Sequence, residues 1–213
     1  MRLDHVSYAT EPAHLADTVQ RLGSALGAPF VDGGLHPRFG TRNFVLPLDG
    51  GTYIEVVAAL DHPAADRQPF GQAVKQRADM GGGWLGWVVA VDDLGPVEAR
   101  LGRSAVDGNR HRPDGVDLRW RQIGVNDLLA DPQLPFFVQW LCPPDQHPSV
   151  GGRPGLLIQR MEICGDPSTV AGWLGEPATH PLDAVEVDWV DTDDSLGLVA
   201  VHVSTAHGTV RLD

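Results

Sequence analysis

A chain of 213 residues can bury a real core, as one larger domain or two small ones. Its formal net charge is −12, and Lys75 is the only lysine among sixteen basic residues. Such an acidic balance argues against nucleic acid or an anionic membrane surface as the main partner. No apolar run approaches the length that spans a bilayer, and Cys142 and Cys164 lack metal-ligand spacing and read as buried reduced thiols. The first residues enter a strand directly, so the expectation is a cytoplasmic protein with no signal peptide.

Leu3 to Ala9 reads as a strand with His5 and Ser7 on one face and Val6 and Tyr8 on the other. Pro12 opens a helix carrying Leu15, Val19, Leu22 and Leu26 on one stripe, with Gly27 as its C-terminal cap. Phe30-Val31, Asn43 to Leu46 and Thr52 to Ala59 then form short strands separated by Gly-rich turns. Residues 61–83 form a connector with a short helix over Pro69 to Ala78. A second unit spans 84–142. It has a strand over Trp84 to Val91, a helix from Pro96, an alternating strand through Val116, Leu118 and Trp120, and an apolar strand over Phe136 to Leu141. A loop at 143–155 leads to a third unit at 156–213. There Leu157 to Cys164, a helix from Pro167, and strands at Ala184 to Val190, Leu198 to Ser204 and Thr209 to Leu212 follow in turn. Asp191 to Asp194 and His207-Gly208 supply its turns.

Self-comparison suggests three copies of a βαβββ unit, the first at 1–60. Leu3 to Pro12 lies over Ile158 to Pro167, and Leu3 to Ala9 lies over Leu85 to Val91. Thr52 to Val57 lies over Phe136 to Leu141.

Within the first unit, Leu3-Asp4-His5-Val6, Gly34-Leu35-His36-Pro37, Gly40-Thr41-Arg42-Asn43 and Tyr53-Ile54-Glu55 resemble the glyoxalase-like branch of the vicinal oxygen chelate superfamily. Pro135 to Trp140 and His147-Pro148 fit the same branch. The resemblance implies an α+β fold in which βαβββ modules pair and their curved mixed sheets enclose a cup. It also implies a divalent metal (Fe, Mn, Ni or Zn) held by residues from the first and last strands of the paired modules. Matched position by position, the first unit offers His5 and Glu55. The second offers Trp87 and Gln139 where a histidine and a glutamate are usual, and the third offers Arg160 and Leu212, neither suited to a metal.

His5, Glu55 and Gln139 are therefore the candidate ligands, with His5 and Glu55 as the candidate proton-transfer pair. The same three side chains can equally hydrogen-bond one another around no ion at all. His36, Thr41, Asn43, Trp87 and His147 are the candidate substrate contacts, with Trp87 read either as an aromatic wall or as core filling. Arg103, Arg110, His111 and Arg112 read as a basic loop, either a solvated loop or a lid over an anion. Two function classes stay open. One is a glyoxalase-like enzyme of lyase, isomerase or dioxygenase type acting on a small oxygen-bearing molecule. The other is a non-catalytic protein that sequesters an aromatic or antibiotic-like ligand. Edge strands left by an odd number of modules leave a homodimer open.

Overall fold

The computed structural model describes residues 1–191 and 196–213. The expected turn at Asp191 to Asp194 lies largely outside the described residues. Strand β1 (Arg2–Ala9) leads through a 3-10 turn into helix α1 (Leu15–Leu26), which buries Leu15, Leu22 and Leu26 and stops at Gly27 in the left-handed conformation. Strands β2 (Val31–His36), β3 (Thr41–Pro47) and β4 (Tyr53–Ala59) then meander back until β4 lies parallel to β1, giving the order β1-β4-β3-β2.

A connector of two helices, α2 (Pro63–Arg67) and α3 (Pro69–Asp79), leads to a second unit of the same order. It contains β5 (Gly83–Ala90), α4 (Gly95–Leu101), β6 (Val106–His111), β7 (Asp117–Ile123), the helix α5 (Val125–Ala130) and β8 (Phe136–Trp140). β1 pairs antiparallel with β5, and β2 meets β6 through Leu35 and His111. The two units thus pair within one chain and close into an eight-stranded barrel. Of the residues expected to form a basic loop, Arg110 and His111 instead lie in β6. Its alternation is hard to see in sequence because Gly108 and Asn109 are poor strand formers.

Period-2 alternation sorts the barrel strands into two faces. Inward-facing Val57, Val88, Phe136 and Val138 pack with Phe39 and with Phe70, Ala73 and Val74 of α3. The connector is therefore part of the lumen wall rather than a passive link. On the outside, Val6, Ile54, Val56, Trp87 and Val89 join Leu15, Leu22 and Leu26 of α1 in a larger core.

The third unit completes that outer core. β9 (Leu157–Cys164), α6 (Pro167–Leu174), β10 (Glu186–Val190), β11 (Gly197–Thr205) and β12 (Gly208–Leu212) repeat the βαβββ order along the chain. Their sheet order is β10-β9-β11-β12, so β9 pairs in parallel with β10 and not with the last strand. The expected equivalence of Leu212 and Glu55 therefore fails. Leu212 instead buries itself in the outer core, where Trp84 Nε1 donates to its carbonyl at 3.1 Å. Ile158, Met161, Val201 and Val203 cover the outer faces of the barrel strands.

Gln139, read as cup-facing, and Trp87, read either as a cup wall or as core filling, both lie outside the lumen. Strands β1 and β4 pair His5 with Tyr53, and β5 and β8 pair Val88 with Phe136. His5 and Glu55 therefore correspond to Val88 and Val138, one residue away from Trp87 and Gln139. Trp87 sits in the outer core with no exposed surface, donating from Nε1 to the Gln133 carbonyl at 3.1 Å. Gln139 faces outward, where its Nε2 donates to the Asp92 carbonyl at 2.9 Å. Trp87→Ala should cost about 3–5 kcal/mol in urea unfolding, as expected for a large core truncation. Gln139→Ala should stay within about 1 kcal/mol. A smaller loss for Trp87→Ala than for Gln139→Ala would contradict this placement.

Candidate functional site

The barrel lumen holds a cavity lined by His5, His36, Asn43, Glu55, Arg110 and Gln122 on its polar side. Tyr53, Phe39, Phe70, Trp120, Phe136 and Trp140 wall the remainder. Each polar residue arrives from a different strand, and irregularities in strand register decide which side chains point in.

The first irregularity lies between Leu3 and His5 on β1. It lets two consecutive residues, Asp4 and His5, both serve the lumen. Asp4 Oδ1 lies 2.7 Å from His5 Nδ1, and Asp4 Oδ2 accepts from Trp140 Nε1 at 2.8 Å and lies 3.3 Å from His147 Nε2. Burial opposes ionisation of Asp4, but the hydrogen bonds from His147 and His5 outweigh it and hold the carboxyl well below the usual carboxylate range. An ionised Asp4 only accepts, so it places the proton of His5 on Nδ1. Nε2 of His5 is then turned toward Glu55 Oε2, 3.8 Å away. The His5 ring stacks on Tyr53 with centroids 4.4 Å apart.

Glu55 projects inward from the middle of β4. Its Oε2 accepts from Ser7 Oγ and its Oε1 from Asn43 Nδ2, both at 2.6 Å. Burial again works against the charge, while His5, His36 and these two donors lower the pKa below its ordinary value. Asn43 completes the chain, its Oδ1 accepting from Arg110 Nη1 at 3.4 Å. A Cβ at Gly33 would lie 2.1 Å from Asn43 Oδ1, so that glycine is what lets the amide sit there. In the same way, a Cβ at Gly108 would lie 2.4 Å from the Trp120 indole.

The second irregularity, between Asp32 and Gly34 on β2, turns His36 rather than Leu35 inward. Thr41 is fully buried beside it, with Oγ1 2.8 Å from His36 Nδ1, so Thr41 holds His36 rather than lining the cavity. Burial drops the His36 pKa to about 4, which keeps the ring neutral near pH 7. His147 stands behind the cavity wall against Trp140 and Tyr53, its rings 5.0 and 5.8 Å away, and buttresses Asp4.

A family model described as a glyoxalase-like domain matches residues 3–178. The chain belongs to that family. Among solved structures, a hypothetical protein from Staphylococcus aureus is 13% identical with a TM-score of 0.62, the alignment covering 100% of this chain and 85% of that one. This likeness supports the glyoxalase-like fold. Methylmalonyl-CoA epimerase from Mycobacterium tuberculosis is also similar, at 16% identity over 65% of this chain and 86% of that one, with a TM-score of 0.43. The Streptomyces coelicolor epimerase, in complex with 2-nitronate-propionyl-CoA, is 15% identical over 66% and 96% of the two chains, with a TM-score of 0.43. No curated protein matches.

The donors do not fit the metal that the glyoxalase-like resemblance implies. His5 and Glu55 are in place, but the paired module supplies Val88 and Val138, whose side chains carry no donor atom. Among the described residues, no group of three or more His, Cys, Asp or Glu side chains is arranged to hold an ion. Glu55 also spends both oxygens on Ser7 and Asn43.

Three residues central to this glyoxalase-like site were not singled out from sequence, namely Asp4, Gln122 and, as a buried group, Arg110. A signal for Arg110 does exist. Val31-Asp32-Gly33-Gly34-Leu35-His36 and Val106-Asp107-Gly108-Asn109-Arg110-His111 are copies of one hexapeptide. β6 pairs with β7 without a register shift, so it turns Arg110 inward where the bulged β2 turns His36 inward.

The folded-state pKa of His36, about 4, lies below its ordinary value of 6.5. Between those values the unfolded chain binds more protons, so stability rises with pH across the window. The contribution is complete above about pH 6.5 and is lost as pH falls toward 4, amounting to about 3 kcal/mol. Urea titrations at a series of pH values should show this slope in the parent chain. They should show it flattened in His36→Asn, and an equal slope in both would refute the assignment.

Proposed function

We propose that the chain is a small-molecule enzyme that moves a proton at a carbon next to a carbonyl group, as an isomerase or lyase would. The observation that carries this reading is the Asp4–His5–Glu55 arrangement inside the aromatic-walled cavity of the barrel lumen. Asp4 fixes the His5 tautomer and leaves Nε2 as the basic atom facing the lumen. When His5 Nε2 takes the proton, the C–H electron pair moves into the carbon skeleton and the carbonyl oxygen gains the charge. The imidazolium then lies between two carboxylates, Asp4 at 2.7 Å and Glu55 at 3.8 Å, which stabilise it. Glu55 is the partner that shuttles the proton with His5, and Ser7 and Asn43 keep it oriented. Gln122 is the donor for the charged oxygen. Its Oε1 is committed to Trp120 Nε1 at 2.7 Å, which turns the amide NH₂ to the cavity. Return of the proton to the same carbon inverts or exchanges it, and return elsewhere isomerises the molecule. None of these steps is routed through a metal, because the paired module's matching positions, Val88 and Val138, carry no donor atom.

Six aromatic rings around the lumen favour a second reading, in which the cavity sequesters an aromatic molecule without transforming it. Proton exchange separates the two. Incubated in D₂O with a panel of small enolisable carbonyl compounds, the protein should erase the α-proton NMR signal of at least one of them. The rate should fall by about 10²-fold or more in His5→Gln and in Asp4→Asn, and EDTA should leave it unchanged. Quenching of tryptophan fluorescence by these compounds with no exchange in any of them would establish the sequestering protein instead.

A further inference from the structure

Arg110 is a buried cation in an acidic chain, and no described carboxylate pairs with it directly. It is 3% exposed and lines the lumen cavity. Among the described residues no carboxylate lies within salt-bridge distance of it, and its only hydrogen bond is the long one from Nη1 to Asn43 Oδ1 at 3.4 Å. Nε is buried without a partner. A guanidinium carries five N–H donors in a planar fork, and here all but one are uncommitted. Burying a charge this way costs several kcal/mol unless something compensates it. Glu55 acts on Arg110 only at a distance, because Ser7 and Asn43 hold both of its oxygens.

We infer that Arg110 is the anchor for a ligand carboxylate, and that the cavity takes small planar or aromatic carboxylic acids. The shape of the donors selects this class. A carboxylate matches the guanidinium fork with two parallel hydrogen bonds, whereas a neutral amide cannot offer two acceptor oxygens. The walls select the remainder of the molecule, since Phe70, Trp120, Phe136 and Trp140 surround the space beside the fork with flat apolar surface. Gly33 makes the arrangement feasible, because a Cβ there would stand 3.1 Å from Arg110 Nη1 as well as colliding with Asn43. A fixed cation from β6 thus supplies the positive charge that Val88 and Val138 cannot hold as an ion. The inference deepens the proposed function by naming its substrate class, but it rests on the cavity and not on the proton transfer.

The test is calorimetric titration at constant ionic strength with benzoate, phenylpyruvate, their neutral analogue benzamide, and inorganic phosphate. Benzoate or phenylpyruvate should bind the parent protein at least about tenfold more tightly than benzamide and than phosphate. Arg110→Met, which keeps the stem and removes the charge, should weaken the carboxylates at least about tenfold and change benzamide less than about twofold. Binding is read by heat and proton exchange by NMR, so loss of exchange and loss of the anchor are separable results. If Arg110→Met does not fold, the parent protein's preference for benzoate over benzamide decides alone. Equal affinity for benzoate and benzamide overturns the inference, as does an unchanged carboxylate affinity in Arg110→Met, tighter binding of phosphate, or failure of both carboxylates to bind.

Discussion

Two carboxylates are buried inside one closed barrel, and most of the local architecture follows from keeping them satisfied. Unpaired burial of even one such group would cost several kcal/mol, a large share of the net stability of a domain. Asp4 meets the constraint with three donors and Glu55 with two, so both stay charged despite burial. These donors come from β1, β3, β8 and the loop after β8. A network with those origins forms only when the first and second units are joined across β1 and β5.

The third unit serves that closure from outside. A strand buried on both faces needs apolar cover on one face while the other carries the polar lumen. For β1, β4 and β5 the cover comes from α1 and from the sheet of β9, β10, β11 and β12. Free of any duty to line a cavity, the third unit keeps the βαβββ order but pairs its strands differently. Its polar outer face carries a surface network instead, in which Glu162 joins His202 at 2.6 Å and Arg211 at 2.8 Å. Conversely, α2 and α3, which a sequence scan leaves as a connector, contribute Ala65 and Phe70 to the inner packing.

Much of the fold was legible in the sequence because strand alternation and helix periodicity are local signals. The helix with its stripe from Leu15 to Leu26, the strand around His5 and the strand around Glu55 all fall where their patterns place them. His5, His36, Asn43 and Glu55 line one cavity. The errors were of register. A bulge changes the side-chain face by one residue, and no periodicity shows where it lies. That single step separates Trp87 from Val88 and Gln139 from Val138. Asp4 was hidden for the same reason, since simple alternation points it away from His5. In β6, two weak strand formers disguised the strand and with it the burial of Arg110.

The two copies of the Val-Asp-Gly hexapeptide show how a repeat can diverge into a site. Each copy uses its glycine to clear space for a side chain from a neighbouring strand, Asn43 against Gly33 and Trp120 against Gly108. The bulge in the first copy then delivers a neutral imidazole to the lumen, and the regular second copy delivers a cation. His36 stays neutral there, because burial removes the solvent that would support its charge and Arg110 adds to the effect. One half of the barrel therefore carries the carboxylates and imidazoles suited to proton transfer. The other half carries the fixed positive charge and much of the aromatic wall. A pair of identical modules would give a symmetric metal cage. This asymmetric pair gives a polar gradient across the cavity, along which an anionic molecule has only one favourable orientation, with its charge at Arg110 and away from Asp4 and Glu55.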